Sequence, residues 1–126
     1  MDIKTSFTQA HLENELWANE LQFYHQEINI FSEHLEKRID NNTSLQESEK
    51  AELMLNQLAR FREMVNNLQQ ELVSAETKMA MYAKSHVSMD LDEVNVADHY
   101  QFRQAVESFK SNYLTFKEEY KEFEKV

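Results

Sequence analysis

Neither glycine nor proline occurs in this chain of 126 residues. Average composition is about 7% glycine and 5% proline, so a chain of this length would ordinarily contain about fifteen such residues. Glycine supplies the positive φ angles of tight turns, and proline ends or kinks helices. Without either residue, the sequence predicts long, uninterrupted helices. The absence of glycine also excludes phosphate-binding glycine loops and the nucleophile elbow of serine hydrolases.

Residues 45–85 carry the clearest helical pattern in the chain. Apolar side chains recur there at alternating steps of three and four, the spacing of helices that pack along their whole length. The repeat consists of Ala51, Met54, Leu58, Phe61, Val65, Leu68, Leu72, Ala75, Met79 and Tyr82. Ser44 and Glu47 precede it with the spacing of a capping box, in which each side chain bonds a free backbone N–H group. The pattern therefore predicts a long helix over 45–85.

A first helix is predicted over 7–40, with a capping-box pair at Ser6 and Gln9. Its apolar residues fall in two neighbouring rows. The main row is Phe7, Ala10, Trp17, Leu21, Tyr24, Ile28, Phe31 and Leu35, and the second row is Leu12, Leu16, Phe23 and Ile30. Because the two rows cover about half of the helix circumference, we expect this helix to contact two neighbours.

A third helix is predicted over 98–124, after an acidic loop at 86–97 where the periodicity is lost. Its mostly aromatic seam consists of Phe102, Val106, Phe109, Tyr113, Phe116, Tyr120 and Phe123. The polar turn at 40–43 is short enough to make the first two helices an antiparallel pair. Together these elements predict an all-α, antiparallel three-helix bundle that occupies residues 1–126 as a single domain.

The lengths of the predicted helices do not match. If the third helix starts level with the end of the second, its Phe123 reaches only the level of Phe61. The lower part of the first hairpin then exposes an apolar strip of Tyr24, Ile28, Phe31, Leu35, Met54 and Leu58. Exposed strips of this kind mark interfaces, so the sequence predicts a homodimer that closes as a four-helix bundle. In the alternative, the 86–97 loop shifts the third helix downward and covers the strip.

The net charge is −10, from 23 acidic and 13 basic residues. An acidic surface without a basic patch repels nucleic acid and anionic membranes, so neither is an expected partner. No apolar run approaches the roughly 20 residues of a membrane span, and the absence of cysteine suits a reducing compartment. We therefore expect a cytoplasmic protein without a cofactor, whose partners are a second copy or another protein.

A row of carboxylates on the first helix is the sharpest anomaly. Glu13, Glu20 and Glu27 recur every seven residues between the two apolar rows, and His34 continues the line. Inward carboxylates build the di-metal sites of ferritin-like bundles, which makes Glu20, Glu27 and His34 candidate metal ligands. The chain has no Glu-x-x-His pair of the ferritin type. We therefore favour ion pairs with Arg60 and Arg62 across the hairpin, because a buried charge without a partner costs several kcal/mol.

The acidic loop offers a second, weaker candidate for cation binding. His86 and His99 bracket it, and Asp90, Asp92, Glu93 and Asp98 lie between or beside them. The loop lacks the central glycine and terminal glutamate of an EF-hand. We interpret it as a solvated connection rich in helix-capping acids.

The stretch Trp17-x-x-Glu20-Leu21-x-Phe23-x-x-x-Glu27, followed by Leu35-Glu36, resembles a family of short all-helical proteins of Bacteroidetes-type bacteria. The resemblance covers about twenty residues of the first helix. It implies an all-α bundle in a bacterial cytoplasm and transfers no catalytic residue to this chain. We expect a structural or protein–protein interaction bundle rather than an enzyme. The alternative is a carboxylate/His metal-binding bundle with a redox or storage role.

Overall fold

Three helices make up the fold. The structure, a computed structural model, describes residues 6–41, 44–85 and 93–125, without the side chains of residues 93 and 94. The helices are α1 (Phe7–Asp40), α2 (Leu45–Ser85) and α3 (Glu93–Glu124). The all-α three-helix prediction is therefore confirmed. The bounds of α1 and α2 agree with the prediction, whereas α3 begins earlier than the predicted residue 98.

The helix starts follow from local capping. The Ser6 hydroxyl accepts a hydrogen bond from the backbone N–H of Gln9 at 3.1 Å, and the Gln9 side chain accepts one from the Ser6 N–H at 3.5 Å. The Ser44 hydroxyl accepts a hydrogen bond from the backbone N–H of Glu47 at 3.2 Å. These bonds satisfy N–H groups that the first turn of a helix leaves without partners.

Contacts between side chains set the helix directions. Early residues of α1 contact late residues of α2, as His11 does with Glu76, so these two helices are antiparallel. By contrast, α3 runs parallel to α1, because Glu13 contacts His99 and Glu27 contacts Tyr113 farther along both helices. If the start of α1 is taken as the upper end of the bundle, the chain runs down, up and down, and α3 lies in the groove between α1 and α2.

The aromatic seam of α3 fills that groove. The Phe61 ring lies 5.4 to 5.9 Å from the rings of Phe109, Tyr113 and Phe116, and the Tyr24 ring lies 5.2 Å from that of Tyr113. Edge-to-face and tilted contacts at these distances add to the burial of apolar area. Most residues of the three predicted seams meet in one core. Ala10 and Met79 lie in a separate, smaller cluster with Phe7 and Val96.

The apolar strip predicted as a dimer interface is closed within the single chain, so the prediction that this strip is exposed is wrong. Phe31 stacks on Tyr120 of α3 with ring centroids 4.3 Å apart. Phe123 lies beside Arg38 and Lys50, far below the level of Phe61. The same core takes in the rest of the strip, namely Tyr24, Ile28, Leu35, Met54 and Leu58. The predicted alternative, a third helix shifted toward the turn between α1 and α2, is therefore confirmed.

The early start of α3 explains the shift. Val96, which lies within the predicted loop, packs against Ala10 and Met79 near the upper end of the bundle. The helix therefore starts below the end of α2 and reaches the lower end of the hairpin with its last turns.

Candidate functional site

The carboxylate row of α1 forms a ladder of ion pairs with α3. Each rung joins a residue of α1 to the residue ninety positions later. Arg103 Nε donates to Glu13 Oε2 at 3.2 Å, Lys110 Nζ lies 3.1 Å from Glu20 Oε2, and Lys117 Nζ lies 3.1 Å from Glu27 Oε1. We call these pairs, with the pair His34–Glu124 at 3.5 Å, the α1–α3 ladder.

A second set of bonds links the same row to residues one turn earlier on α3. His99 Nε2 lies 2.9 Å from Glu13 Oε1, and the Tyr113 hydroxyl donates to Glu27 Oε1 at 2.8 Å. The Tyr120 hydroxyl lies 3.4 Å from His34 Nδ1. The first set repeats every seven residues, and the second keeps that spacing but skips Glu20, whose counterpart on α3 is Val106. The ladder therefore joins two parallel helices with matching heptads.

These contacts correct the predicted partners of the glutamates. We expected pairing with α2, but Arg62 instead donates to the Asn29 Oδ1 atom at 3.2 Å and to the Ser32 hydroxyl at 3.2 Å. Arg60 is exposed. The glutamate row lies on the edge of the α1 seam that faces α3, away from α2. The prediction was thus right about the kind of partner and wrong about the helix that supplies it.

The candidate metal ligands are spread along the ladder. Glu20 and Glu27 each form an ion pair with a lysine of α3, and His34 contacts Glu124. Within the described residues there is no group of three or more side chains placed to hold a metal ion. His86, Asp90 and Asp92 of the acidic loop lie outside the described residues. The arrangement therefore favours structural ion pairing along α1.

The electrostatics of the ladder follow from its partial burial. Burial alone would raise the pKa of Glu13, but hydrogen bonds from Arg103 and His99 outweigh burial and lower it below its usual value. The hydrogen bond to Glu20 raises the pKa of Lys110. Burial, with the hydrogen bond to Glu27, raises the pKa of Tyr113 far above its ordinary range. Each pKa shift favours the protonation state that forms the contact: a charged Glu13, a charged Lys110 and a neutral Tyr113 hydroxyl.

The order of acidic and basic residues along the ladder also fixes the register of α3 against α1. In three rungs α1 supplies the anion, whereas in the fourth rung His34 lies on α1 and Glu124 on α3. Sliding α3 by one heptad in one direction would set Glu27 against Glu124, and in the other it would set His34 against Lys117. The first shifted register is disfavoured by two like charges at a shared position, and the second is disfavoured because it leaves Lys117 without a carboxylate partner.

The second apolar row of α1 is exposed, which contradicts the prediction that it contacts a neighbour. Leu12, Leu16, Phe23 and Ile30 are each 54 to 57% exposed, and we call them the α1 outer row. Phe23 lies three residues after Glu20 and four before Glu27, so it sits beside the ladder on the helix surface. Although α1 does contact two neighbours, its main row and its glutamates make those contacts.

A neighbouring residue of α3 extends this apolar surface. Leu114 is 58% exposed and lies four residues after Lys110 and three before Lys117. It therefore borders the ladder on the side opposite the α1 outer row. The two helices together present apolar side chains on both sides of a neutralised row of ion pairs.

The stretch of α1 that carries most of the α1 outer row, residues 16–32, is depleted in charged residues. Residues 16–32 contain only two formally charged side chains, Glu20 and Glu27, and lysines of α3 neutralise both. At the chain's 29% of charged residues, a stretch of this length would carry about five. The exposed polar residues of this stretch are all amides, namely Asn19, Gln22, Gln26 and Asn29. Depletion of charge around large apolar side chains is typical of the core of a protein interface.

A polar cleft lies near the upper end of the bundle. It measures about 450 Å³, and all three helices line it. Asn14 and His99 are both buried at its wall, and the Asn14 amide donates to Met79 Sδ at 3.5 Å. Lys78 and Asp98 are exposed at its rim. Asn14, a buried polar residue of α1 between Ala10 and Trp17 of the main row, thus has a partner in the core.

Comparison with protein-family models, with curated proteins and with solved structures returned no match for this chain. No helix of the described ranges combines the length and the apolar content needed to cross a membrane.

We expect the contribution of His11 to stability to depend on pH. Its hydrogen bond to Glu76, with the charge of that carboxylate, raises the pKa of His11 above 6.5. The contribution is therefore fully present below pH 6.5 and is lost as the pH rises through the higher value of the folded state. The melting temperature of the wild type should exceed that of His11→Gln at about pH 5.5, and the difference should shrink by about pH 8.5. An equal difference at both pH values would contradict this assignment.

Proposed function

We propose that this chain is a protein-interaction bundle that uses the α1 outer row as its docking surface. The observation that carries the proposal is the exposure of four large apolar side chains on one helix face, although the core closes without them. Single exposed apolar residues are common on proteins, but an aligned row of them marks an interaction site. We place this activity in the cytoplasm, where a chain without cysteine is at no disadvantage.

The shape of the row favours a helical partner. From Leu12 to Ile30 it extends about 27 Å along the helix at 1.5 Å per residue. Leu16, Phe23 and Ile30 are seven residues apart, which is the spacing that a second helix meets when it packs side by side with the first. A fourth helix on this face would bury the row in the same way that α3 buries the main row.

The metal-binding alternative has less support. The lysine ammonium groups at Glu20 and Glu27 already supply the positive charge that a metal ion would bring. Elemental analysis of protein purified without added metal tests this directly. Iron, manganese or zinc at near one equivalent per chain would favour the metal-binding function over ours.

Affinity capture with matched baits tests the interaction function. Wild-type protein, Phe23→Glu and Leu53→Glu are each immobilised and exposed to lysate of the native cell. Leu53 is the control because it is 65% exposed and lies on α2, away from the α1 outer row. We expect the wild type and Leu53→Glu to retain the same protein, whether a second copy of this chain or another, and Phe23→Glu to lose it. Equal capture by all three baits would overturn the proposal.

A further inference from the structure

We propose that the α1 outer row docks on the α1 outer row of a second copy, with the two α1 helices antiparallel and Phe23 on the twofold axis. The proposal rests on the proposed function, since it names the occupant of the same surface. It differs from the dimer predicted from the sequence, because the apolar strip of that dimer is buried within the single chain.

The spacing of the row is symmetric about Phe23. Leu16 lies seven residues before it and Ile30 seven residues after it. In an antiparallel pair with Phe23 on the axis, Leu16 of one copy therefore lies opposite Ile30 of the other. Twofold dimers need a self-complementary patch of this kind, in which one surface serves both subunits.

The local charge permits two copies to approach. The whole chain carries −10, so most faces of two copies repel each other. The α1 outer row is different, because lysines of α3 neutralise Glu20 and Glu27 beside it. Beside the central residues of the row, the carboxylates of Glu20 and Glu27 are already paired, and the exposed carboxylates of Glu15 and Glu33 lie only toward its two ends. A basic partner helix would therefore find no free carboxylate beside Phe23. The charge pattern thus favours a second copy over a basic partner.

The area is sufficient for a small dimer. An aromatic side chain presents about 150–250 Å² when fully exposed, and Leu or Ile somewhat less. Because the four residues of the α1 outer row and Leu114 are each a little over half exposed, together they offer on the order of 500 Å² per copy. Two copies would bury about 1,000 Å² of apolar surface, and the amides of Asn19, Gln22 and Gln26 bring the total into the range of about 1,200–2,000 Å² seen for stable interfaces. We expect association in about the micromolar range, at the weak end of the affinities that interfaces of this size show.

Sedimentation equilibrium of the purified full chain tests the proposal. The wild type should fit a monomer–dimer equilibrium between the chain mass of 15.1 kDa and twice that value. Phe23→Glu places two carboxylates together on the axis, and we expect it to weaken dimerisation at least about 30-fold, as for a central interface residue. Its circular dichroism should match that of the wild type, because Phe23 is 54% exposed in the single chain. Leu53→Glu should dimerise as the wild type does.

Two outcomes would overturn the second-copy proposal. One is a wild type that sediments at the monomer mass at about 100 µM, well above the expected dissociation constant. The other is a dimer that Phe23→Glu leaves intact while its helix content is retained. If either occurs and the affinity capture still depends on Phe23, the proposed function stands with a different partner. If the capture does not depend on Phe23, both fail.

Discussion

Phe116→Ala is expected to lower the free energy of unfolding by about 3–5 kcal/mol, the usual cost of emptying an aromatic site in a core. Phe116 is only 2% exposed. Its ring lies 5.6 Å from that of Phe61 and 6.2 Å from those of Tyr113 and Tyr120, so the ring contacts both α2 and its own helix. Urea unfolding followed by circular dichroism at low protein concentration measures the change.

Leu53→Ala is the control for this experiment, because Leu53 is exposed on α2. We expect it to change the free energy of unfolding by no more than about 0.5 kcal/mol. A loss below about 1 kcal/mol for Phe116→Ala would show that the aromatic seam of α3 is not packed in the core.

Tyr113→Phe is expected to cost about 1.5–3 kcal/mol, because it removes a largely buried hydrogen bond to a carboxylate. The Tyr113 hydroxyl donates to Glu27 Oε1 at 2.8 Å, and Lys117 Nζ lies 3.1 Å from the same oxygen atom. Glu27→Ala should cost a similar amount, since it leaves both the hydroxyl and the ammonium group without this acceptor.

A double variant that combines Glu27→Ala with Tyr113→Phe separates the free energy of the hydrogen bond from the other effects of each substitution. If the two groups act together, Glu27→Ala with Tyr113→Phe should cost less than the sum of the single variants by at least about 1 kcal/mol. Unfolding free energies of the wild type and the three variants complete the cycle. Additivity within about 0.3 kcal/mol would contradict a bond between Tyr113 and Glu27.

Local patterns in the sequence are sufficient to predict most of the helices. The capping boxes at Ser6 and Ser44 and the heptad seams fix the bounds of α1 and α2, because both signals depend only on neighbouring residues. The start of α3 could not be predicted in the same way. Val96 is a single apolar residue in an acidic stretch, and only its contact with Ala10 and Met79 shows that the helix extends to this point.

The partners of the carboxylate row can be predicted only by comparing the charge periods of two helices. Glu13, Glu20 and Glu27 recur every seven residues on α1, and Arg103, Lys110 and Lys117 recur with the same period on α3. The matching periods indicate that α1 and α3 are parallel, whereas the order of the helices in the chain favours pairing of the glutamates with α2, the next helix in sequence.

The α1 outer row shows that helical periodicity predicts burial without showing which molecule buries the residues. Apolar residues in a helical row predict burial, and the pattern is the same whether the neighbour is part of the chain or a separate molecule. The sequence therefore predicted that Leu12, Leu16, Phe23 and Ile30 would be covered, and the chain itself does not cover them.

The fold depends above all on the parallel packing of α3 against α1 of its own chain, in the register set by the ladder. Carbodiimide treatment of the wild type tests it, because the reagent joins a carboxylate directly to an amine in contact with it. Mass spectrometry of an equal mixture of labelled and unlabelled protein separates links within one chain from links between chains. We predict Glu20–Lys110 and Glu27–Lys117 links within single chains, as the 3.1 Å distances require. Links of Glu27 to Lys110, or links found only between chains, would contradict this packing.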